Sequence, residues 1–530
     1  GRGGGRGGRA GGGGGGGGAA VGPPRLQTVF GKENEEEIRA LKADATRPLG
    51  STARAFKAGD GMHMLPYPCI QEGKDRPVID IPVRPAWTED MGAESLNARE
   101  EKYFGDWLSD IYRAHARSEL NYFEHNLEVW RQVWRTAFER ADIVVMVLDA
   151  RIPLFHFSQA VFNHVKTKLE KEVVIVMNKA DIVPPASVQL WHDFFAAHCP
   201  GVRFVPFCVP KSGSAHVAQL PCVVELLDAL KACSVTRAGK RLPAAPFFDH
   251  PREELAALTG DRDPEEFITV VLQGDPNMGK SSVINAVFGK KLVSSSATPG
   301  HTKHFQTLFW GRDVCFCDSP GIVCPKLGVP KPLQVLFGSY RIAQVREPYH
   351  VVRFIAEHCH PPLVDLLKLK TFRDKDAEPD EPWSPLNLCE AYARKRGFFR
   401  RGGRVDPTRA ASRLLRDALS GFSGLALCFA PPGVNAAAVA AAAAVMAPVA
   451  AQWVRGGGDS EEEDDDEGED GGSGSGVVAG VPLEASGDDD DDEDDGDEAT
   501  TAAEAPPKAK VRNAFAALNS SGSESEDSEG

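Results

Sequence analysis

The sequence lacks the paired cysteines of a disulfide framework, which would indicate an oxidising compartment. It also lacks an apolar run suited to crossing a membrane. Its 11 cysteines are scattered and include no CxxC pair, which predicts an intracellular protein. The alanine-rich run at 436–451 is weakly apolar and is interrupted by Pro448, so we expect no membrane-spanning helix. No secretory signal is visible, and because the chain begins at Gly1 rather than Met, its natural start can lie further upstream.

Basic residues are scarce at the C-terminal end of the chain. From Asp459 onward, 26 acidic residues stand against 3 basic ones, a net charge of −23, whereas residues 1–458 carry a net charge of about +8. A mildly basic body with an acidic tail fits a partner that carries phosphates or a basic protein surface. It fits equally well a solvated surface with a solubilising tail, so the charge pattern alone leaves the partner open.

Both ends of the chain lack the composition of a folded core. Residues 1–25 are mostly glycine with a few arginines, and residues 431–530 are alanine-rich and then acidic, so we expect disorder at both ends. Residues 26–119 are charged and punctuated by proline, which predicts an extension that drapes over a domain without forming one. Serines beside acidic residues make the tail a candidate for phosphorylation: Ser523, Ser525 and Ser528.

The middle of the chain has the pattern of a parallel α/β sheet. Residues 143–148 and 173–177 are continuous apolar runs, and strands that are apolar on both faces are typical of parallel sheets covered by helices. An apolar stripe at helical spacing precedes the first run. It consists of Leu127, Trp130, Val133, Trp134 and Phe138. We therefore predict a doubly wound α/β domain at 120–330, followed by a helical C-terminal domain at 331–430.

A glycine-rich loop lies between a predicted strand at 267–272 and a predicted helix at 283–288. This context predicts a P-loop, in which backbone N–H groups and the helix N-terminus face phosphate oxygens. Lys280 would neutralise phosphate charge, and the Ser281 hydroxyl would bind Mg²⁺. The loop residues are Gly274, Asp275, Pro276, Asn277, Met278, Gly279, Lys280, Ser281 and Ser282.

A second constellation, Asn178-Lys179-Ala180-Asp181, follows the strand at 173–177. The Asp181 carboxylate can accept two hydrogen bonds from the N1–H and 2-amino group of guanine, a pair that adenine lacks. Lys179 can lie along the base, and Asn178 can brace the neighbouring loops. A carboxylate left unpaired by the wrong base is a strong discriminator, so this pattern predicts selection of GTP over ATP.

A third constellation follows the predicted strand at 314–317. A carboxylate at Asp318 can hold Mg²⁺ through water, and the Gly321 N–H can meet the γ-phosphate. In the preceding loop we predict that Thr302 binds Mg²⁺ when triphosphate is present, with Thr298 the alternative. The strand-end motif is Asp318, Ser319, Pro320 and Gly321.

The order of these motifs is unusual, because the guanine-binding motif at 178 precedes the P-loop at 274. The set is therefore circularly permuted, which a doubly wound sheet tolerates because its chain ends can be rejoined on the surface. Together with the stretch Asp149-Ala150-Arg151-Ile152-Pro153 and the Thr298-Pro299-Gly300-His301-Thr302 loop, the order resembles the circularly permuted GTPases of ribosome assembly. The resemblance runs from about residue 82 to residue 432.

That resemblance implies Mg²⁺-dependent GTP hydrolysis that is slow until a partner stimulates it. It also implies work on the large ribosomal subunit or its RNA, in the nucleolus, nucleus or cytoplasm, and we expect a monomer. Asn277 matches the asparagine that helps to hold K⁺ beside the phosphates in potassium-stimulated relatives, although an asparagine that braces the loop would look the same. The residues at 208–212 depart from the Ser-Ala-like loop that the family usually offers to the guanine.

Two further observations bear on the mechanism. Many GTPases place a water-orienting glutamine after the strand-end motif, but here the residue is Ile322, which predicts slow intrinsic hydrolysis. Residues 392–404 interleave cations with aromatic side chains, a composition suited to RNA or to an ordinary solvated helix and turn. The leading hypothesis is a nucleotide switch in assembly of the large ribosomal subunit. The rival hypothesis is a GTP-binding scaffold or signalling protein with negligible hydrolysis.

Overall fold

The structure is a computed structural model of the 530-residue chain. Helices account for most of the described chain outside one central sheet. Side chains are described as far as residue 446. The described residues are 29–31, 35–51, 53–58, 63–68, 78–88, 90–209, 220–237, 239–249, 266–293, 306–373, 381–421 and 425–453.

Strands and helices alternate through the middle of the chain, and helices alone follow it. The strands are β1 Phe56–Lys57, β2 His63–Met64, β3 Ile143–Asp149, β4 Glu172–Asn178, β5 Arg203–Pro206, β6 Ser234–Arg237, β7 Lys240–Pro243, β8 Ile268–Gln273, β9 Gln306–Phe309 and β10 Val314–Asp318. The helices are α1 Glu35–Ala45, α2 Ala93–Ala114, α3 Leu127–Val133, α4 Pro153–His156, α5 Gln159–Asn163, α6 Pro185–His198, α7 Pro221–Lys231, α8 Lys280–Phe288, α9 Lys331–Leu336, α10 Tyr349–His358, α11 Leu363–Leu366, α12 Pro385–Arg396, α13 Pro407–Ser420 and α14 Ala436–Trp453.

The central sheet has six strands in the order β5-β4-β3-β8-β10-β9. All neighbouring pairs are parallel except β10 with the edge strand β9, which is antiparallel. The predicted mostly parallel sheet is therefore confirmed. The strand order places the end of β8, where the P-loop begins, between the ends of β3 and β10.

Both faces of the sheet are buried, which explains why its strands are apolar throughout. In β3, Val144 and Met146 pack into one cluster with Trp130 and Trp134, which lie on α3 and the π-helix Trp134–Arg140 that continues it. Val145, on the opposite face of β3, belongs to a cluster that includes residues of α7 and α8. The alternation of side chains along a strand thus supplies both cores from one sequence run. The predicted apolar stripe of α3 is confirmed.

The helices α9 to α13 enclose a separate cluster of buried residues that includes Phe337 and Leu414. We use the name helical domain for the described residues between 331 and 421, which belong to the same compact unit as the central sheet. Residues of the N-terminal segment lie against it, where Arg353 of α10 pairs with Asp44 of α1 at 2.7 Å. Among the described residues, no helix is long and apolar enough to cross a bilayer.

The expectation that order ends after residue 431 is wrong for the start of the tail. Residues Ala436–Trp453 form α14, and the buried Val439 packs into the same cluster as Trp191 of α6. Alanine has the highest intrinsic helix propensity of any residue, so a long alanine run needs few apolar anchors to form a docked helix. The acidic part of the tail lies outside the described residues.

Candidate nucleotide-binding site

The predicted motifs meet at the C-terminal edge of the parallel strands, where open α/β sheets bind their ligands. Asn178 is the last residue of β4, the P-loop follows β8, and Asp318 is the last residue of β10. The Asn178 amide donates to the backbone carbonyl of Met278 at 2.7 Å. The guanine-binding motif and the P-loop, 100 residues apart in the chain, are thereby tied together.

Gly279 gives the P-loop its turn into α8. Its φ is +90°, a conformation that favours glycine, and a Cβ there would lie 2.2 Å from the Asn178 amide nitrogen. The next residue, Lys280, begins α8, and its ammonium donates to the backbone carbonyls of Gly274 at 3.1 Å and Asp275 at 2.9 Å. The loop therefore holds its lysine at the N-terminus of α8, where anions bind favourably.

Burial shifts the two charged groups of the phosphate side in opposite directions. Burial lowers the pKa of Lys280 to about 8, although Asp318 and Asp275 partly offset the shift. Burial raises the pKa of Asp318, and hydrogen bonding to Ser281 and the charge of Lys280 partly offset that shift. Both shifts mean that desolvation disfavours the charged forms, so a ligand that brings the opposite charge would be strongly favoured.

The residues predicted to bind Mg²⁺ have suitable chemistry where they are described. The Ser281 hydroxyl donates to Oδ2 of Asp318 at 2.7 Å. Oδ1 of Asp318 is buried and has no hydrogen-bond partner in the described part of the chain. A hydroxyl and a carboxylate oxygen, one of them uncompensated, are the hard oxygen donors that Mg²⁺ prefers. The pair therefore fits the ion, which would link the protein to phosphate oxygens and offset their charge.

The guanine side is held by a chain of charged side chains, of which Lys179 is half-buried and Asp149 and Arg151 are buried. Lys179, in a left-handed conformation with φ of +63°, donates to Oδ2 of Asp149 at 2.9 Å. Arg151 donates to both carboxylate oxygens of Asp149, at 3.0 and 2.8 Å. Burial alone would raise the pKa of Asp149, but Arg151 and Lys179 outweigh it and hold that pKa well below its usual range. Asp181 is exposed, as a side chain that reads a base must be.

After Asp318, the strand-end motif places backbone groups against the P-loop. Gly321 lies against the P-loop, because a Cβ there would lie 2.6 Å from Cα of Pro276. The N–H of Ile322 donates to the carbonyl of Gly274 at 3.2 Å. The hydroxyl of Ser319, which belongs to the predicted motif, points into the sheet, where it donates to the carbonyl of Leu272.

Some predicted site residues lie outside the described residues. These include Thr302, the predicted Mg²⁺ ligand, and its alternative Thr298. The loop that would approach the guanine is described only as far as Val209. Among the remaining P-loop residues, Met278 is fully buried in the cluster that includes residues of α8, and Ser282 is half-buried in α8.

Sequence reasoning missed the contacts of three polar residues around the site. His156 and Ser339 both bond the carboxylate of Asp275 in the P-loop, each at 3.0 Å. Arg151 was noted only as part of a family signature, and its pairing with Asp149 was not foreseen. The signal for that pair was available, because two opposite charges directly after a fully apolar strand must find partners. No comparable local signal marks His156 or Ser339.

The fold and the site define a circularly permuted P-loop GTPase. A family model described as "50S ribosome-binding GTPase" matches residues 269–371. Guanine nucleotide-binding protein-like 1 of Rattus norvegicus is 33% identical over 459 residues, which cover 78% of this chain and 73% of the relative. The chain therefore belongs to the family of guanine nucleotide-binding protein-like 1, within the permuted GTPases that its motif order predicted, and it binds guanine nucleotides.

Other relatives extend the comparison. The Homo sapiens guanine nucleotide-binding protein-like 1 is also 33% identical, over 458 residues covering 78% of this chain and 73% of that protein. GTPase LSG1-1 of Arabidopsis thaliana is 32% identical over 423 residues, covering 73% of this chain and 75% of that protein. The solved structure of GNP-bound YlqF from T. maritima is 21% identical, covers 58% of this chain and 100% of that chain, and has a TM-score of 0.35. The sequence relatives therefore carry the family assignment.

Proposed function

We propose that this protein is a GTP-dependent switch in the assembly of the large ribosomal subunit, with intrinsic hydrolysis that is slow until a partner stimulates it. The observation that carries the slow intrinsic rate is the environment of Ile322. This residue stands where many GTPases have a water-orienting glutamine, and it is 2% exposed within the core beside the P-loop. An apolar, buried side chain cannot align a water molecule, so the alignment must come from elsewhere.

The helical domain offers a surface for an RNA-containing partner. After α12, Phe399 and Val405 pair in a short hairpin, in which the N–H of Arg400 donates to the carbonyl of Arg404 at 2.8 Å. Phe399 is 52% exposed at the base of this hairpin. Exposed arginines bind phosphates, and an exposed aromatic ring can stack on an unpaired base. The hairpin thus supports the predicted contact with ribosomal RNA or a pre-ribosomal particle.

Mg²⁺ and K⁺ belong to the same proposal. Ser281, Asp318 and Thr302 would together hold Mg²⁺. The ion would polarise the phosphates for attack. Asn277 has a left-handed backbone, with φ of +62°, and lies within the P-loop. A K⁺ ion held there would add the positive charge that an arginine finger otherwise supplies. We further propose that the protein acts as a monomer inside the cell, in the nucleolus, the nucleus or the cytoplasm.

GTP turnover in the presence of Mg²⁺ tests the proposal. The rate would be measured in K⁺ and in Na⁺, with and without large ribosomal subunits, and with Lys280→Ala as the blank. We expect stimulation by the subunits, and a further dependence on K⁺ would assign Asn277. The hairpin variant Arg404→Glu should lose the stimulation, while an unchanged affinity for GDP shows that it is folded.

A scaffold with negligible hydrolysis is the second candidate, and the buried Ile322 favours it as well. Tight GTP binding without turnover under every condition, including saturating ribosomal subunits, would support the scaffold and overturn the assembly switch. Stimulation by another partner but not by subunits would retain the GTPase and reject its ribosomal role.

A further inference from the structure

The P-loop contains an acidic side chain, Asp275, that must be kept away from phosphates. Asp275 is 5% exposed, and its Oδ2 accepts hydrogen bonds from the Ser339 hydroxyl and from Nδ1 of His156, each at 3.0 Å. Burial lowers the pKa of His156 although Asp275 opposes the shift, and because a carboxylate can only accept, Nδ1 is the donor. Two donors thus fix a carboxylate that would otherwise repel a nucleotide.

The two donors come from different parts of the chain. His156 ends α4 in the GTPase domain, whereas Ser339 lies just after α9 in the helical domain. Ser339 is fully buried. The helical domain therefore reaches into the phosphate side of the site with a polar side chain, although none of the nucleotide-binding motifs lies in that domain.

The residue before Ser339 also touches the P-loop. Gly338 has φ of +79°, and a Cβ there would lie 2.8 Å from the amide nitrogen of Asn277 and 3.0 Å from Cδ1 of Leu419. Only glycine allows this approach without displacing one of the two neighbours. The backbone at 338 therefore fits between the P-loop and the end of α13.

The same segment is anchored on the guanine side through Arg151. The guanidinium group lies 4.7 Å from the ring centroid of Phe337. It donates to the carbonyls of Ala418 at 3.0 Å and Leu419 at 3.1 Å, at the end of α13. Because Arg151 also pairs with Asp149, both sides of the nucleotide site contact one junction, which we define as residues 337–339 and 418–419.

We propose that Ser339 is a positioning residue through which the helical domain sets the affinity for nucleotide, by holding the Asp275 carboxylate and with it the P-loop. A loop that is already ordered binds phosphates without the entropic cost of becoming ordered on binding. A partner that displaces the helical domain would release the loop and act as an exchange factor. The inference rests on binding of guanine nucleotide, and it stands or falls separately from the ribosomal role proposed above.

The dissociation rate of a fluorescent GDP analogue from the full chain tests the proposal. We expect Ser339→Ala to raise that rate about fivefold. The variant loses one hydrogen bond to the charged Asp275, but the bond from His156 remains. Ser339→Thr keeps the hydroxyl and should restore a rate close to that of the unchanged protein. Ser420→Ala is the matched control, because among the described residues its hydroxyl bonds only the nearby carbonyl of Asp417 in the same domain.

A purely structural role for Ser339 would give a different result. In that case Ser339→Ala would lower the melting temperature without changing GDP dissociation, and the proposal would be overturned. Gly338→Ala provides a second variant, because the added Cβ would push on Asn277 and should also speed GDP release. An unchanged dissociation rate in both folded variants would likewise overturn the proposal. Neither outcome depends on whether ribosomal subunits stimulate hydrolysis.

Discussion

The guanine side and the phosphate side of the site are built differently. On the guanine side, Lys179 is bonded to Asp149, which is paired with Arg151 and through it with the helical domain. On the phosphate side, burial lowers the pKa of Lys280, and one oxygen of Asp318 has no hydrogen-bond partner among the described residues. We therefore expect base recognition to be set by the fold itself, and phosphate binding to depend on the opposite charge that a ligand brings to the site.

The strongest test of the phosphate side is removal of its cation. Lys280→Ala should weaken GDP binding by about 100-fold or more, because the phosphates lose a buried charge-assisted hydrogen bond. Titration with a fluorescent GDP analogue measures the effect. Lys290→Ala, which removes an exposed lysine just beyond α8, is the control. Equal affinities for the two variants would contradict the assignment of Lys280.

The matching test of the guanine side is a change of base preference. Asp181→Asn should weaken GDP binding by about 50-fold, because a neutral amide cannot accept both guanine hydrogen bonds. It should at the same time improve binding of xanthosine diphosphate, whose 2-oxo group can accept from the amide. Competition titrations with both nucleotides measure the change. Asp193→Asn, an exposed substitution on α6, should leave the preference for guanine intact, and a retained preference in Asp181→Asn would refute the assignment.

The pH dependence of binding separates the two sides further. Burial lowers the pKa of Lys280 to about 8, whereas bound phosphates favour the protonated ammonium and raise its pKa in the complex. Affinity should therefore be full below pH 8 and decline as the pH rises through 8, by about tenfold between pH 7 and pH 9. The GDP dissociation constant across this range measures the effect. Lys280→Ala should lack the decline, and a flat profile in the unchanged protein would contradict the role given to this lysine.

The smallest expected effect is on basal hydrolysis at Ile322. Because its side chain is buried in an apolar cluster, Ile322→Gln should destabilise the fold by about 1–3 kcal/mol and change single-turnover hydrolysis by no more than about twofold. Urea unfolding and single-turnover assays measure both quantities. Ile322→Leu, which preserves volume, is the control. A large gain in hydrolysis by the glutamine variant would contradict this prediction, because it would show that a side chain at position 322 can orient the attacking water.

The sequence predicted those parts of the molecule whose physics is local. Strands apolar on both faces implied a covered parallel sheet, and each nucleotide-binding motif lies in a short stretch at the end of a strand. The contacts of Asp275 were not predictable, because His156 and Ser339 lie 119 and 64 residues away in the chain. Only folding brings these side chains together.

The alanine run shows a different limit of sequence reasoning. We expected disorder from residue 431 onward, yet Ala436–Trp453 is a helix, and its buried Val439 packs into the same cluster as Trp191. The helix propensity of alanine, together with one or two buried apolar side chains, is sufficient to form a docked helix. A criterion based on apolar content alone does not detect such a helix. The side-chain direction of Ser319 was likewise hidden, since a motif gives the position of a residue in the chain but not the neighbours of its side chain.

Amide hydrogen exchange of the full chain, measured without nucleotide and with GDP, tests the central difference most directly. We predict that amides at the end of β3 and β4, such as those of Ala150 and Ala180, are already protected without nucleotide, because both donate to backbone carbonyls. GDP should then add protection mainly in the P-loop and the first turn of α8. An equal or larger gain at the ends of β3 and β4 would contradict the claim that the guanine side is set by the fold.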